Sequence, residues 1–131
     1  MNAVPDAAAM EDVARRAIAM MPELFRKHLD GVSVHVEEFA DDQTLDDLGI
    51  ESRWGLLGVY QGRPLTEQSV WDSGMLSPRI RLFRRPLLAE WAQSGEDLHD
   101  LIVHVLVHEV GHHFGYSDDD MEAIDEGEDG D

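Results

Sequence analysis

The sequence predicts an α+β domain. Three features carry that reading: a helical apolar stripe near the start, three short runs with strand character, and a long helix-forming segment towards the end. Their order is helix, three strands, helix, helix, in which helices cover a small sheet instead of alternating with its strands.

Residues 6 to 29 carry Met10, Val13, Ala14, Ala17, Met21, Leu24, Phe25 and His28 at i, i+3, i+4 spacing, with Arg15, Arg16 and Lys27 off the stripe. Pro22 removes a backbone donor and breaks or kinks this element near Met20 and Met21. Asp30-Gly31 reads as its C-cap. Val32 to Val36 alternates with period two and predicts a half-buried strand. An acidic loop from Asp41 to Asp47, with room for one helical turn, leads to a second strand over Trp54 to Tyr60. That strand closes at the turn signals of Gln61-Gly62-Arg63-Pro64. Thr66 to Pro78 reads as loop, and Arg79 to Arg84 alternates again as a third strand. Leu87 to Trp91 predicts a short helix with Pro86 at its start. Ser94-Gly95-Glu96-Asp97 resembles a capping box opening a helix that runs to about Phe114.

The 131 residues form one domain, 1–131, long enough to bury a modest core. With no cysteine, disulfides, thiolate metal ligands and thiol catalysis are all excluded. The formal charge of −18 opposes nucleic-acid binding, which needs basic side chains against phosphates. No basic-then-apolar leader opens the chain, and no apolar run is long enough to span a bilayer. The expectation is a soluble, cytoplasmic monomer that binds neither nucleic acid nor membrane. Nine acidic residues and no basic one lie between Asp118 and Asp131, so about 119–131 reads as a solvated, frayed tail.

The most specific signal is His108-Glu109-Val110-Gly111-His112, extended by Gly115 and Asp118 to H-E-x-x-H-x-x-G-x-x-D. At this composition the five-residue core arises by chance about 0.03 times, and the extended pattern roughly 3 × 10⁻⁴ times. Histidines four apart share a helix face and can share a metal, with the adjacent glutamate handling a proton. Taking about 100° per residue from Leu101, Val103, Val107, Val110 and Phe114 fall between about 180° and about 240°, as a core stripe. On that scale His108 falls at about 340°, His112 at about 20° and His104 at about 300°.

Two imidazoles leave a tetrahedral Zn²⁺ one protein ligand short, with the fourth position kept for water. Gly115 can turn the chain back in a left-handed conformation and deliver Asp118. Glu122, Glu126 and Glu128 compete as third ligand, but the stretch after Asp118 is short for a well-packed second helix. The reading is therefore zinc on His108, His112 and Asp118, with Glu109 as general base towards a water whose pKa the metal lowers. His113 points to about 120° and takes a structural role, whereas His104 is open between exposure and the site. Tyr116 offers either packing or a hydrogen bond to a developing oxyanion. The arginines of 79–85 read either as balancing an acidic surface or as lying on an edge strand that pairs with an extended peptide.

The chain resembles the minimal zincin-like bacterial metallopeptidases, small stand-alone domains related to the metzincins. The resemblance runs through Met21-Pro22-Glu23-Leu24, Gly31 to Glu37, Leu57 to Leu65, Ile80 to Leu87 and Val107 to Gly115. It implies a small mixed sheet flanked by helices, a zinc site at His108, His112 and Asp118, and Glu109 as base. It also implies peptidase activity on a peptide or unfolded protein. Asp118 stands where full metzincins carry a third histidine, and no separate Met-turn follows. Two other functions compete: a non-catalytic, metal-stabilised peptide-binding module, and a metal-dependent ribonuclease. The charge and Glu109 oppose the ribonuclease.

Overall fold

A computed structural model describes residues 4–62 and 77–120. The architecture is α+β: a three-stranded mixed sheet covered by helices on both faces. Helix α1 (Ala7–Ala19) begins where the Asp6 carboxylate accepts from the Ala9 N–H, and it buries Met10 and Ala14. Pro22 interrupts the predicted stripe and caps a single turn, α2 (Glu23–Arg26). Leu24 and Phe25 of that turn stay exposed, because α2 is too short to continue the buried face of α1. Gly31 has no positive φ and caps nothing; the chain instead turns through the Val32 N–H to the Leu29 carbonyl.

Strand β1 is Ser33–Glu37, β2 is Gly58–Gln61 and β3 is Arg79–Phe83. The sheet order is β1-β3-β2, with β1 parallel and β2 antiparallel to β3. The predicted second strand is shorter than expected, since Arg53–Gly55 form a 3-10 turn started by the Ser52 hydroxyl. The segment 63–76, with most of the predicted loop, lies outside the described residues, as does the chain after Asp120.

Two corrections concern β3. The expectation of an edge strand open to a peptide does not hold, because β3 is central and its backbone pairs on both sides. The alternation of β3 does not leave one of its faces to solvent either. Ile80 and Leu82 pack with α1 and the last helix, and Phe83 is buried with Ala40, Leu45 and Val59 on the opposite face. The cause is the segment read as an acidic loop. It forms a helix, α3 (Asp42–Leu48), capped by Asp41 and ended at Gly49 (φ 69°). Four of its seven side chains are acidic or amide, so its two buried residues, Thr44 and Leu45, give too little periodic signal to reveal it.

Arg81, buried under α3, donates to Glu37 (2.7 Å), Asp41 (2.9 Å) and Thr44 (3.1 Å). Burial works against its charge, but the two carboxylates hold its pKa above the ordinary value. Arg79 donates to Gln61, and Arg84 and Arg85 both reach Glu38. Arg81, Arg84 and Arg85 thus meet acidic neighbours, whereas Arg79 meets an amide.

Helix α4 (Arg84–Ser94) ends at Gly95 (φ 71°), and α5 (Leu98–His113) follows. The capping box shifts by three residues. Asp97 is itself the N-cap, accepting from the Asp100 N–H at 3.0 Å, because Ser94 still belongs to α4. The buried face of α5 also differs from the predicted stripe. Apart from Gly111, the buried residues are Leu101, Ile102, Leu106, Glu109, Val110 and His113, an arc from about 0° to about 180° on the predicted scale. Val107 is 43% exposed. Apolar residues occur all round this helix, so hydrophobicity alone does not choose the face; contact with the sheet and α1 does.

Asp41 supplies the test of how α3 is held. Its hydrogen bonds from Thr44 and then Arg81 keep its carboxyl well below the usual range. A depressed folded pKa gives stability that is complete above the unfolded value of 3.8 and lost as pH falls below it. Asp41→Asn keeps the capping function and removes the charge. Thermal melts should therefore place the variant below wild type at about pH 7, with the gap closing towards about pH 2. A gap of constant size would show that the charge does not hold α3.

Candidate metal centre

The end of α5 builds the site. Gly115 has φ 95°, its N–H bonds to the His112 carbonyl, and the Tyr116 N–H bonds to the Gly111 carbonyl. This pair of bonds is a Schellman ending, which satisfies the last carbonyls and reverses the chain. Ser117 then caps a new helical turn containing Asp118: its hydroxyl accepts from the Asp120 N–H, and Asp120 accepts from the Ser117 N–H. Asp118 is thus delivered from a short helical turn, where the sequence suggested only a chain reversal.

The result brings three predicted ligands together. Asp118 Oδ1 lies 2.9 Å from His108 Nε2 and 3.0 Å from His112 Nε2. The ligand atoms of all three side chains fall within 4.8 Å of one another. His112 Nδ1 is 2.9 Å from the Tyr116 carbonyl. A carbonyl only accepts, so Nδ1 carries a proton, and Nε2 is the nitrogen left to face Asp118 and to ligate a metal. Lone pairs and a carboxylate oxygen converging on one point repel unless a cation or proton stands among them. Two ligands of a tetrahedral zinc stand about 3.3 Å apart at bond lengths of about 2.0 Å, close to the spacing here. The donor set and its fixed tautomer therefore fit zinc. Hydrogen bonding from His108, with the imidazole charges adding, holds the Asp118 carboxyl below its ordinary range despite partial burial. The competing ligands Glu122, Glu126 and Glu128 lie outside the described residues.

Glu109 is 7% exposed and faces the core side of α5. Burial raises its pKa, against the opposing charges of His112 and His108 and a hydrogen bond from the Tyr60 backbone N–H. The sheet explains that bond. The Phe83 N–H donates to the Leu57 carbonyl, so hydrogen-bonded pairs alternate and include Val59 with Arg81. Gly58 and Tyr60 then direct their backbone groups away from β3, the Tyr60 N–H towards Glu109. The approach of α5 to β2 is close: a Cβ on Gly58 would meet Val105 Cγ1 at 2.9 Å, so a side chain here would have to displace Val105.

A cleft of about 610 Å³ opens over these residues. Leu48, Ile50 and Leu56 form an apolar wall, Gly58 to Tyr60 the strand side, and His108, Glu109, His112 and Asp118 the polar side. Tyr116 lines it as well, contributing its carbonyl to His112 while its ring is 48% exposed. His104 is exposed and outside the lining. His113 is buried, as the structural reading expects. Sequence reasoning missed Tyr60 and the apolar wall. Their only signal is proximity in the fold, since they stand about 50 residues upstream of the motif.

Comparison with known proteins adds the decisive observation: the family described as zincin-like metallopeptidase matches residues 29–128. The chain belongs to that family. The match takes in all three strands and the whole of α5, so the zincin-like domain accounts for the sheet as well as the histidine helix. Membership in a zincin-like family implies zinc, in agreement with the donor set. The fold is similar to that of a conserved hypothetical protein from Thermo thermophilus, at a TM-score of 0.51 and 27% identity. That likeness covers 81% of this chain and 91% of the other. No curated protein matches the chain. Among the described residues, no helix is long and apolar enough to cross a membrane.

Gly115 tests the delivery of Asp118. Alanine at φ 95° should cost about 1–2 kcal/mol in urea titrations, and asparagine less, because it tolerates left-handed backbone. Zinc affinity should fall in the same order, alanine below asparagine. Equal affinities in all three proteins would mean that the turn does not set the ligand.

Proposed function

We propose that this zincin-like protein is a zinc-dependent peptidase that hydrolyses bonds in short or unfolded peptides. The observation carrying the proposal is the buried carboxylate of Glu109 beside a convergent His108, His112 and Asp118 donor set. These three side chains would hold the ion. A bound zinc supplies Lewis-acid activation of water and of a carbonyl group.

The chain's own residues do the rest. Glu109 takes a proton on its carboxylate as water adds to the scissile carbonyl, and gives it to the nitrogen of the departing amine. Its pKa, raised by burial, brings its proton affinity towards neutrality, where a base that must also act as an acid works best. The tautomer imposed by Tyr116 keeps His112 Nε2 directed at the site. The outer edge of β2 can accept an extended peptide as an added strand, with Gly58 offering backbone groups beside the cleft. β2 thereby takes the part that the sequence had offered to the arginine strand. Leu48, Ile50 and Leu56 suit an apolar substrate side chain. No lysine or arginine lines the described cleft, which, with the charge of −18, disfavours a polynucleotide substrate.

The expected outcome for Glu109→Gln is about a 10²- to 10⁴-fold loss of peptide cleavage, with one zinc still bound per chain. Asp118→Ala should lose the metal itself, read by elemental analysis after dialysis. Cleavage of a peptide library at the wild-type rate by Glu109→Gln would overturn the mechanism. A wild type that holds zinc but cuts no member of the library would leave a metal-stabilised binding module instead.

A further inference from the structure

His113 directly follows the second histidine of the motif, is 2% exposed, and takes no part in the chemistry above. Both its nitrogens are engaged. Nε2 lies 3.0 Å from the His28 carbonyl and Nδ1 lies 2.8 Å from the Tyr60 hydroxyl. Because the carbonyl only accepts, the proton sits on Nε2 and Nδ1 accepts from the Tyr60 O–H. The same Tyr60 donates its backbone N–H to Glu109. One residue of the edge strand is thus tied twice to α5, by its ring to His113 and by its main chain to Glu109, about one helical turn apart. The Tyr60 and His113 rings also touch, with centroids 5.5 Å apart. His28 extends the link to the segment between α2 and β1, so three separate stretches of chain meet on this imidazole.

We infer that His113 is a positioning residue: through Tyr60 it fixes the edge of β2 against α5 and so sets where the Glu109 carboxylate stands. The inference rests on the peptidase reading only for its consequence in catalysis; the positioning is a property of the fold. A buried histidine serving packing alone could be replaced by any side chain of similar volume. A positioning histidine requires the acceptor at Nδ1, and the two nitrogens can be separated chemically. Asparagine places an oxygen near the Nδ1 position and can keep the Tyr60 bond. Glutamine places an amide near the Nε2 position and can keep the His28 bond.

The test uses the full-length zinc protein with His113→Asn, His113→Gln, Tyr60→Phe and the double variant Tyr60→Phe/His113→Gln. Two readouts are taken: the hydrogen-exchange rate of the residue 60 amide by NMR, and kcat and KM on a cleaved peptide. Glu109→Ala sets the exchange rate expected when the amide loses its acceptor. Tyr60→Phe and His113→Gln should speed exchange of this amide towards that rate and lower kcat about 10- to 100-fold. Zinc affinity should stay within about threefold, since none of the three ligands is touched. His113→Asn should remain near wild type on both readouts. The double variant should be no worse than the more impaired single variant, because both remove one link. Unchanged amide exchange in Tyr60→Phe and His113→Gln would overturn the proposal. So would His113→Asn damage equal to that of His113→Gln, or additive losses in the double variant. If wild type cuts no peptide, the amide exchange still decides the positioning, and the failure belongs to the peptidase reading.

Discussion

A carboxylate taken out of water destabilises a fold unless neighbouring groups meet its charge. Glu109 is such a carboxylate, and much of the molecule answers to it. Its partners come from both directions: the Tyr60 main chain from the sheet, and the fields of His112 and His108 along its own helix. The Tyr60 bond goes with a close approach of α5 to β2, where a side chain on Gly58 would press on Val105. Local chemistry and global packing are therefore one constraint. Moving the helix away from the strand would both open the core and leave the carboxylate without its donor.

The mixed sheet makes this arrangement possible. Placing β3 between its neighbours puts β2 on the outside of the described strands, with the backbone groups of Gly58 and Tyr60 turned away from β3. One outward N–H reaches Glu109, and the rest of that edge borders the cleft. The opposite face of the sheet is closed by α3, held by Arg81 through Asp41, Thr44 and Glu37. Leu48 and Ile50, at the end of α3 and just beyond it, then form part of the cleft wall. Ion pairs from the buried Arg81 to carboxylates at the surface thus fix one wall, while a helix-ending glycine turn brings Asp118 to the other side. Zincin-like family membership implies zinc, and the convergent donor set fits it.

Much of this was legible in the residues, for identifiable reasons. Pro22 marks the end of α1, since it lacks a backbone donor. Gly115 marks the reversal after α5, since few residues accept a φ of 95°. The spacing of His108, His112 and Asp118 carries the donor set because helix and turn are local structures. The errors lie where long-range contact decides. α3 was hidden because only Thr44 and Leu45 of its seven residues are buried. The face of α5 was misplaced because valine and leucine occur on every side of it, and no period distinguishes which side meets the sheet. With that arc mislocated, His113 near its centre looked merely structural, although its contacts lead back to the site.

The sequence by itself determined the class of fold, the helix that bears the histidines, and the residue types available to a metal. These follow from backbone propensity and spacing within a few turns. Only the tertiary structure decided that β3 is central, that Arg81 is buried, and that Tyr60 reaches Glu109 from a distant part of the chain. Strand order and helix facing are chosen by competition among apolar surfaces distant in the chain. That competition leaves no periodic trace in any one segment.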